Sequence, residues 1–127
     1  MLGSRTPRRI TIEGSDILLP MDLQATLRVI VAKSLNALGA NESYEGAWVD
    51  ISTKSGLVYL VNTDADGTLK IQHSIDGSIV DYEDTIAITG GTPASDVVIA
   101  RGLYAKVVYE NGAAAQTTFR LLVTATP

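Results

Sequence analysis

The stretch Asp66–Tyr82 reads Asp-Gly-Thr-Leu-Lys-Ile-Gln-His-Ser-Ile-Asp-Gly-Ser-Ile-Val-Asp-Tyr. It predicts a β-strand, because Leu69, Ile71 and Ile75 fall on one face of an extended segment and polar side chains alternate with them. An Asp-Gly pair at each end of this strand predicts a turn on either side. A single strand cannot bury its own apolar face, so the rest of the chain must supply strands that cover it.

The rest of the chain is a series of short apolar or alternating segments separated by turn residues. This pattern predicts an all-β protein, an antiparallel β-sandwich of jelly-roll or Greek-key type with about eight to ten strands. Beyond the opening stretch, the predicted strands cover residues 25–34, 44–51, 57–62, 85–89, 96–100, 103–110 and 117–124. The continuous apolar run at 57–62 is typical of a strand at a sheet centre or covered on both faces. Two further short apolar runs lie at 10–12 and 17–19, ahead of Pro20.

Residues 21–38 form the ambiguous segment. Their apolar residues approximate one face of a helix, whereas Val29, Ile30 and Val31 favour a strand because β-branched side chains suit an extended backbone. We therefore predict a strand near 25–34, with a helix as the alternative for this segment alone.

An Asn111-Gly112 pair lies between the last two alternating segments. Asn-Gly is a strong hairpin signal, because both residues tolerate the positive φ angles of a type I′ turn. Three alanines follow the pair, so the predicted connection is longer than two residues. The pattern thus predicts that the last two strands pair as a hairpin.

The length, cysteine content and net charge of the chain limit which classes of protein it can belong to. The chain has 127 residues, enough for a single domain with its own core, and its lack of cysteine excludes disulfides and thiolate metal sites. A net charge of −4 argues against general binding to nucleic acid, which needs a basic face. No apolar run is long enough to cross a membrane, and no signal peptide is evident.

Positive charge is concentrated at the start of the chain, at Arg5, Arg8 and Arg9. We therefore expect two regions, a basic arm at 1–20 that docks or oligomerises and a β-sandwich at 21–127. A solvated terminus without a docking role is the alternative for the arm.

No motif of catalytic or metal-binding residues stands out. His73 is the single histidine, and no nucleophile signature accompanies it, so we interpret it as a strand histidine rather than part of a Ser-His-Asp site. Asp64, Asp66 and Gly67 resemble the start of a calcium loop but lack its ligand spacing. They are better explained as turn residues that cap backbone groups.

A small acidic group at 81–84 and the aromatic residues complete the candidates. Neighbouring strand residues point to opposite faces, so the carboxylates cannot flank one bond as in a glycosidase, and we interpret them as a solvated edge. Most aromatic rings are expected in the core, whereas an exposed one would suit a carbohydrate-binding module. We therefore expect no enzyme activity, no catalytic residue, no cofactor and no metal.

About two-thirds of the chain resembles a known family. The residues that carry the resemblance are Leu38-Gly39-Ala40-Asn41, Tyr44, Gly46, Ala47, Trp48, Gly67-Thr68-Leu69, Gln72, Ser74, Asp76-Gly77, Asp81-Tyr82, residues 101–109, Asn111-Gly112-Ala113-Ala114-Ala115-Gln116-Thr117 and Phe119-Arg120-Leu121. Residues 38–121 resemble small β-sandwich proteins and domains of tailed-bacteriophage virions, and the block from 111 to 121 is the most specific part. The chain departs from the family pattern at Lys106, where an Arg is usual, and at Ile79-Val80, where a polar residue and a Trp are typical.

The resemblance implies a structural protein of the virion, made in the bacterial cytoplasm, and most specifically a capsid decoration or cement protein. Its implied partners are the major capsid protein or another virion protein and further copies of the chain in a trimer, with no nucleic acid and no membrane. The expected docking residues are Arg5, Arg8, Arg9, Ile10 and Ile12. The expected structural motif comprises Asp76, Gly77, Asn111, Gly112, Gln116 and Arg120, with a hydrogen bond between Gln116 and Arg120. The alternative is a carbohydrate- or receptor-binding module of a phage tail or fibre, with a surface glycan as its ligand.

Overall fold

The computed structural model describes residues 27–127, which form nine strands. The predicted arm at 1–20, its docking residues and the apolar runs at 10–12 and 17–19 lie outside the described residues. In chain order the strands are Val29–Ser34 (β1), Ser43–Glu45 (β2), Val49–Asp50 (β3), Gly56–Thr63 (β4), Gly67–Ser74 (β5), Tyr82–Ile88 (β6), Ala94–Ile99 (β7), Tyr104–Asn111 (β8) and Phe119–Thr126 (β9).

The strands form two antiparallel sheets. One sheet has four strands in the order β1-β9-β4-β7, and the other has β2-β8-β5-β6 with β3 also paired to β8. Only β5 and β6 are sequence neighbours that pair with each other, so most connections cross from one sheet to the other. The predicted all-β, antiparallel β-sandwich is confirmed.

The core lies between the sheets and comes from alternate residues of each strand. On the central strands β5 and β8, Leu69, Ile71 and Val107 have no exposed surface. The rings of Tyr109 and Phe119 pack with their centroids 4.8 Å apart. The buried apolar residues are Val31, Ala32, Ile51, Leu57, Tyr59, Val61, Leu69, Ile71, Ile88, Ala105, Val107, Tyr109, Phe119, Leu121, Val123 and Ala125.

The opening Asp66-Gly67 pair is needed for packing as well as for the turn. A Cβ atom on Gly67 would collide with the hydroxyl group of Tyr109 and lie 2.8 Å from the carbonyl oxygen of Glu110. Glycine therefore lets the tyrosine ring approach the backbone of β5. Burial raises the pKa of Tyr109 to about 12, which keeps its phenol neutral in the core.

The ambiguous segment is a strand over Val29–Ser34, which confirms the preferred prediction in the described part of 25–34. β1 pairs with β9, and the register shifts between Ile30 and Ala32, as in a β-bulge. Val31 and Ala32 are consequently both buried. This break in alternation explains why the apolar pattern also fitted a helix.

Two strand predictions need correction. Ile75 follows the end of β5 and is 67% exposed, so it does not share the buried face of Leu69 and Ile71. The strand predicted over 44–51 is two short strands, because the chain leaves the ladder at Gly46, whose amide bonds instead to the carbonyl of Val107.

The predicted hairpin at Asn111-Gly112 is wrong. β8 ends at Asn111 in the five-stranded sheet, whereas β9 lies in the four-stranded sheet, so the two strands do not pair. The amide of Gly112 donates to the carbonyl of Asp66 rather than across a two-residue turn. The segment after Asn111 therefore carries the chain from one sheet to the other.

Candidate interaction surface

The outer faces of the two sheets differ in chemistry. The five-stranded sheet presents polar side chains that pair with one another across its strands. Lys70 bonds to Glu110 at 3.0 Å, and Lys106 bonds to Glu45 at 2.8 Å. The amide of Gln72 donates to the Glu83 carboxylate at 2.9 Å. This face satisfies its own charges and is typical of a solvated surface.

The outer face of the four-stranded sheet carries a patch of exposed apolar side chains. Register places Val58, Leu60, Val97 and Leu122 on the side away from the core. Leu60 is 47% exposed, Val97 59%, and Ile30 on the edge strand β1 59%. The face also includes Ile99 at the end of β7, which is 63% exposed. Contiguous exposed apolar residues of this kind mark interaction sites in soluble proteins.

A groove lies at the end of this face where β1 and β4 finish. It has a volume of about 320 Å³ and is lined by Lys33, Leu35, Leu60, Asn62, Pro93, Arg120, Leu121 and Leu122. Its two cations, Lys33 and Arg120, are exposed and have no hydrogen-bond or ion-pair partner within residues 27–127. No carboxylate lines the groove. The groove therefore combines an apolar floor with uncompensated positive charge.

Asn111 and Gln116 of the predicted motif form a buried hub rather than a surface site. The side-chain nitrogen of Asn111 donates to the carbonyls of Gly39 at 2.8 Å and Ala114 at 2.9 Å. The amide of Leu38 donates to Gln116 Oε1 at 2.8 Å, while Gln116 Nε2 donates to Thr63 Oγ1 at 3.1 Å. These contacts fasten the segment after β1 to the crossover between β8 and β9.

The hydrogen bond expected between Gln116 and Arg120 does not form. In the described part of the chain the bonds of the Gln116 side chain go to Leu38 and Thr63, which lie beside it in the interior. Arg120 lies on β9 with the opposite orientation to buried Phe119 and Leu121, so its side chain faces the groove. Gln116 precedes β9 and lies in the crossover, so the alternation that turns Arg120 outward does not govern its side chain.

Asp76 and Gly77 build the turn between β5 and β6. Asp76 Oδ1 accepts the amides of Ser78 at 2.9 Å and Ile79 at 3.2 Å. Hydrogen bonds from these amides and from the Ser74 hydroxyl lower the pKa of Asp76. Gly77 has a φ of 76°, which favours glycine. The motif residues of this turn are thus structural, like the hub.

His73 is buried and links two other parts of the sandwich by hydrogen bonds. It is 1% exposed, its Nε2 lies 2.8 Å from Asp84 Oδ2, and its Nδ1 accepts the amide of Arg101 at 3.3 Å. Because Nδ1 accepts, Nε2 carries the proton and donates it to Asp84. Both ring nitrogens are engaged, so neither can act as a general base in this arrangement. The strand-histidine interpretation agrees with this geometry.

The acidic group at 81–84 is not simply a solvated edge. Asp84 is half-buried against His73, and an Asp81 oxygen accepts the amide of Ile75 at 2.9 Å. Asp81 and Glu83 are both exposed, and Glu83 bonds to Gln72. The interpretation of these residues as a solvated edge is wrong for Asp84. Its partner, His73, lies on the neighbouring strand β5, and the local sequence around Asp84 does not reveal that pairing.

The carboxylates that resembled a calcium loop cap backbone groups of distant loops. Asp64 accepts the amides of Thr117 and Thr118, each at 3.0 Å, and also the Thr117 hydroxyl. Asp66 accepts the amide of Gly90 at 2.8 Å. Within residues 27–127 no group of three or more His, Asp or Glu residues is arranged to hold a metal ion. The described residues also include no helix that could cross a membrane.

The Asp64 cap predicts a pH dependence of stability. The Thr117 hydroxyl and then the Thr118 amide lower the pKa of Asp64 from its ordinary 3.8 to about 2. A carboxyl whose pKa is lower in the folded state stabilises the protein above the ordinary pKa and loses this effect as the pH falls through the folded pKa. We therefore expect Asp64→Asn to lower the urea midpoint at pH 7, and the difference from the unaltered chain to vanish near pH 2.

Asp96→Asn is the matched control for that experiment, because Asp96 is also exposed but bonds only to the adjacent amide of Val97 among the described residues. Its urea midpoint should follow that of the unaltered chain between pH 7 and pH 2. An Asp64→Asn difference that is constant with pH would contradict the role assigned to the carboxylate.

Two of the aromatic rings that are not fully buried, those of Tyr82 and Trp48, are contacted by cations. The Arg101 guanidinium lies 4.7 Å from the centroid of the Tyr82 ring, and Lys106 Nζ lies 5.0 Å from the centroid of the Trp48 ring. A sugar that stacked on either ring would have to displace the cation. The structure therefore offers less support for a glycan platform than for an apolar docking face.

Sequence reasoning missed the apolar outer face. The signal was the continuous run at 57–62, which we assigned to a strand at a sheet centre or covered on both faces. β4 is indeed central in its sheet, between β9 and β7, yet Leu60 on its outer side is exposed within the described structure. The residues of this run therefore alternate between the buried core and an outer surface that nothing among residues 27–127 covers.

Comparisons with known proteins give a family and a fold. A family model described as the uncharacterised protein YqxG N-terminal domain matches residues 22–126. The crystal structure of the PBSX exported protein XepA is similar with a TM-score of 0.65 and 23% identity, over 87% of this chain and 40% of that chain. A chain from the disulfide-linked pili of Bacillus endospore appendages is similar with a TM-score of 0.47 and 22% identity, over 80% of this chain and 92% of that chain. No curated protein matches this chain.

Proposed function

The chain belongs to the family of the YqxG N-terminal domain, and from this premise we propose that it is a non-enzymatic structural protein of a phage particle, a capsid decoration or cement protein. Its task is to bind an assembled shell and its own neighbours as a trimer. Its localisation is then the virion. Neither catalysis nor a cofactor takes part in this role.

The observation that carries the proposal is the contrast between the two outer faces. One face pairs its own charges, through Lys70 with Glu110 and Lys106 with Glu45. The other exposes Leu60, Val97 and Ile99. One face has charged side chains that pair with each other, and the other exposes apolar side chains. Such a module is suited to lie on a larger assembly with the apolar face against it and the polar face toward solvent.

The fold agrees with this proposal, because XepA is described as an exported protein of PBSX and shares the β-sandwich. The chain spans 40% of the length of XepA, so the activity and partners of the whole protein are not transferred. The likeness supports a phage-related structural role without specifying the capsid.

In the proposed mechanism the arm at 1–20 docks onto neighbouring subunits. Arg5, Arg8 and Arg9 would pair with acidic groups, and Ile10 and Ile12 would bury apolar surface. Each contact is weak alone, but contacts repeated around a symmetry axis act together and raise the overall affinity.

Deleting residues 1–20 should leave a folded sandwich that no longer stays on particles. We would mix the full chain or the shortened chain with empty shells of the major capsid protein of the same phage and measure co-sedimentation. The shortened chain should keep its urea midpoint within the error of the full chain, because the two described sheets bury a shared core between residues 31 and 125.

Two results would contradict the proposal. Failure of the full chain to co-sediment with the shells would exclude the decoration role. Equal occupancy of the shells by both chains would exclude the arm as the docking segment. Light scattering of the full chain at several concentrations checks the trimer independently, since the trimer predicts a solution mass three times that of the chain.

A further inference from the structure

The groove at the end of the four-stranded sheet is chemically specific. Leu35 and Leu60 supply exposed apolar surface, at 53% and 47% respectively, and Leu122 and Pro93 complete the lining. Lys33 and Arg120 add two positive charges that no acidic group within residues 27–127 compensates. A complementary ligand is therefore an apolar peptide segment that carries a carboxylate at its edge.

The chain itself contains such a segment outside the described residues. Residues 16–22 read Asp-Ile-Leu-Leu-Pro-Met-Asp, five apolar residues in a row with an acidic residue at each end. Because the segment has an acidic residue at each end, either direction through the groove can offer a carboxylate to Lys33 and Arg120. Its proline donates no backbone hydrogen bond, which suits a segment held mainly by side-chain contacts.

The position of Leu27 indicates which copy of the chain supplies the segment. Lys54 Nζ donates to the carbonyl of Leu27 at 2.6 Å, and the Arg28 guanidinium donates to Thr124 Oγ1 at 2.6 Å. These bonds hold the chain at the end of the sheet where β4 begins. The groove lies at the opposite end, near Asn62, roughly 20 Å away along the strand.

A segment from the same chain would have to reverse its direction within residues 22–26 and run back along the sheet to reach the groove. A segment from an adjacent copy does not face this constraint, because the first residues of one sandwich and the groove of the next can meet end to end. Such a contact joins two different surfaces, so it is heterologous, and it closes into a ring when the rotation allows.

We propose that the groove formed by Lys33, Leu35, Leu60, Arg120 and Leu122 receives residues 16–22 of a neighbouring copy of this chain. The inference rests on the proposed function, in which the arm joins neighbouring subunits, and it names the receiving site. It also divides the first part of the chain into a segment at 16–22 that links copies and residues 5–12 that remain available to the shell.

Disulfide trapping tests the proposal directly, because the natural chain contains no cysteine. A Leu18→Cys chain and a Leu60→Cys chain, with tags of different mass, would be mixed and oxidised. Docking between copies should give about tenfold more mixed dimer than a mixture of Leu18→Cys with Ile99→Cys, since proximity in the docked complex raises the effective thiol concentration. Ile99 is the matched control, being equally apolar and exposed on the same face but at its far end.

A double variant, Leu18→Cys with Leu60→Cys in one chain, distinguishes the source of the segment. Linked oligomers support docking between copies, whereas an intrachain disulfide in the monomer overturns it. Equal mixed-dimer yields for Leu60→Cys and Ile99→Cys would also overturn the proposal. The Leu60→Cys and Ile99→Cys chains should unfold at the urea midpoint of the unaltered chain, because both side chains are exposed and lie outside the core.

Charge exchange gives a second measurement that does not depend on cysteine placement. Lys33→Glu with Arg120→Glu should lower the solution mass measured by light scattering, and adding Asp16→Lys with Asp22→Lys to the same chain should restore it. Absence of rescue would overturn the pairing. The groove assignment and the proposed function can fail separately. If the chain co-sediments with shells but never forms the disulfide, the groove assignment is contradicted and the proposed function is not.

Discussion

Replacing Ile71 with alanine is expected to lower the free energy of unfolding by about 2–5 kcal/mol, which is the range for removing a large aliphatic side chain from a packed core. Ile71 has no exposed surface and lies on β5, between β8 and β6 in the five-stranded sheet. The shortened side chain would leave a cavity between the sheets that the paired backbone on both sides cannot collapse to fill. Urea unfolding followed by the fluorescence of Trp48 measures the change.

The matched control is Ile99→Ala, because Ile99 is the same residue type in a strand but is 63% exposed. Its effect should be within about 0.5 kcal/mol of zero, as for exposed positions in general. Equal losses at Ile71 and Ile99 would show that the outer face of the four-stranded sheet is covered in the isolated protein, and would contradict its assignment as an open surface.

Asn111→Ala is expected to lower the free energy of unfolding by about 1–3 kcal/mol, since it removes a buried side-chain donor that bonds to two backbone carbonyls. Those carbonyls belong to Gly39 and Ala114, and Asn111 itself is 6% exposed. The change disconnects the segment after β1 from the crossover between β8 and β9. Thermal and urea denaturation of the purified variant measure the loss.

Two further variants sharpen this prediction. Asn36→Ala removes an amide from an exposed position in the same connecting segment and should change stability little. Asn111→Asp keeps the shape but turns the donor into a carboxylate that faces carbonyl oxygens, so it should destabilise at least as much as Asn111→Ala at pH 7. A stable Asn111→Asp chain would contradict the hub.

The strands and the buried face of β5 follow from local chemistry. Alternation places Leu69, Ile71 and His73 on one face without reference to any other part of the chain, and the structure buries all three. β1 was harder to predict, because the bulge between Ile30 and Ala32 breaks the alternation on which such reasoning depends. A bulge is set by how β1 fits against β9, which the segment itself does not encode.

The family motif at 111–121 shows where sequence reasoning about sites fails. Asn-Gly predicted a local turn, but Asn111 bonds to residues more than seventy positions earlier in the chain. Gln116 and Arg120 are close in sequence, yet alternation on β9 puts Arg120 in the groove while Gln116 stays inside. Asn111 and Gln116 lie in the buried hub, and their hydrogen-bond partners could not be known from their spacing in the sequence.

The sequence by itself determined the fold class and the lack of thiol chemistry, because hydrophobic periodicity and composition can be read along the chain without knowing which strands pair. Only the tertiary structure decided which strands share a sheet, and therefore that Leu60, Val97 and Ile99 lie together on an exposed face. Lys33 and Arg120 came to the same groove for the same reason. Strand pairing joins residues far apart in sequence, and no local pattern specifies the partner of a strand when most connections cross between the sheets.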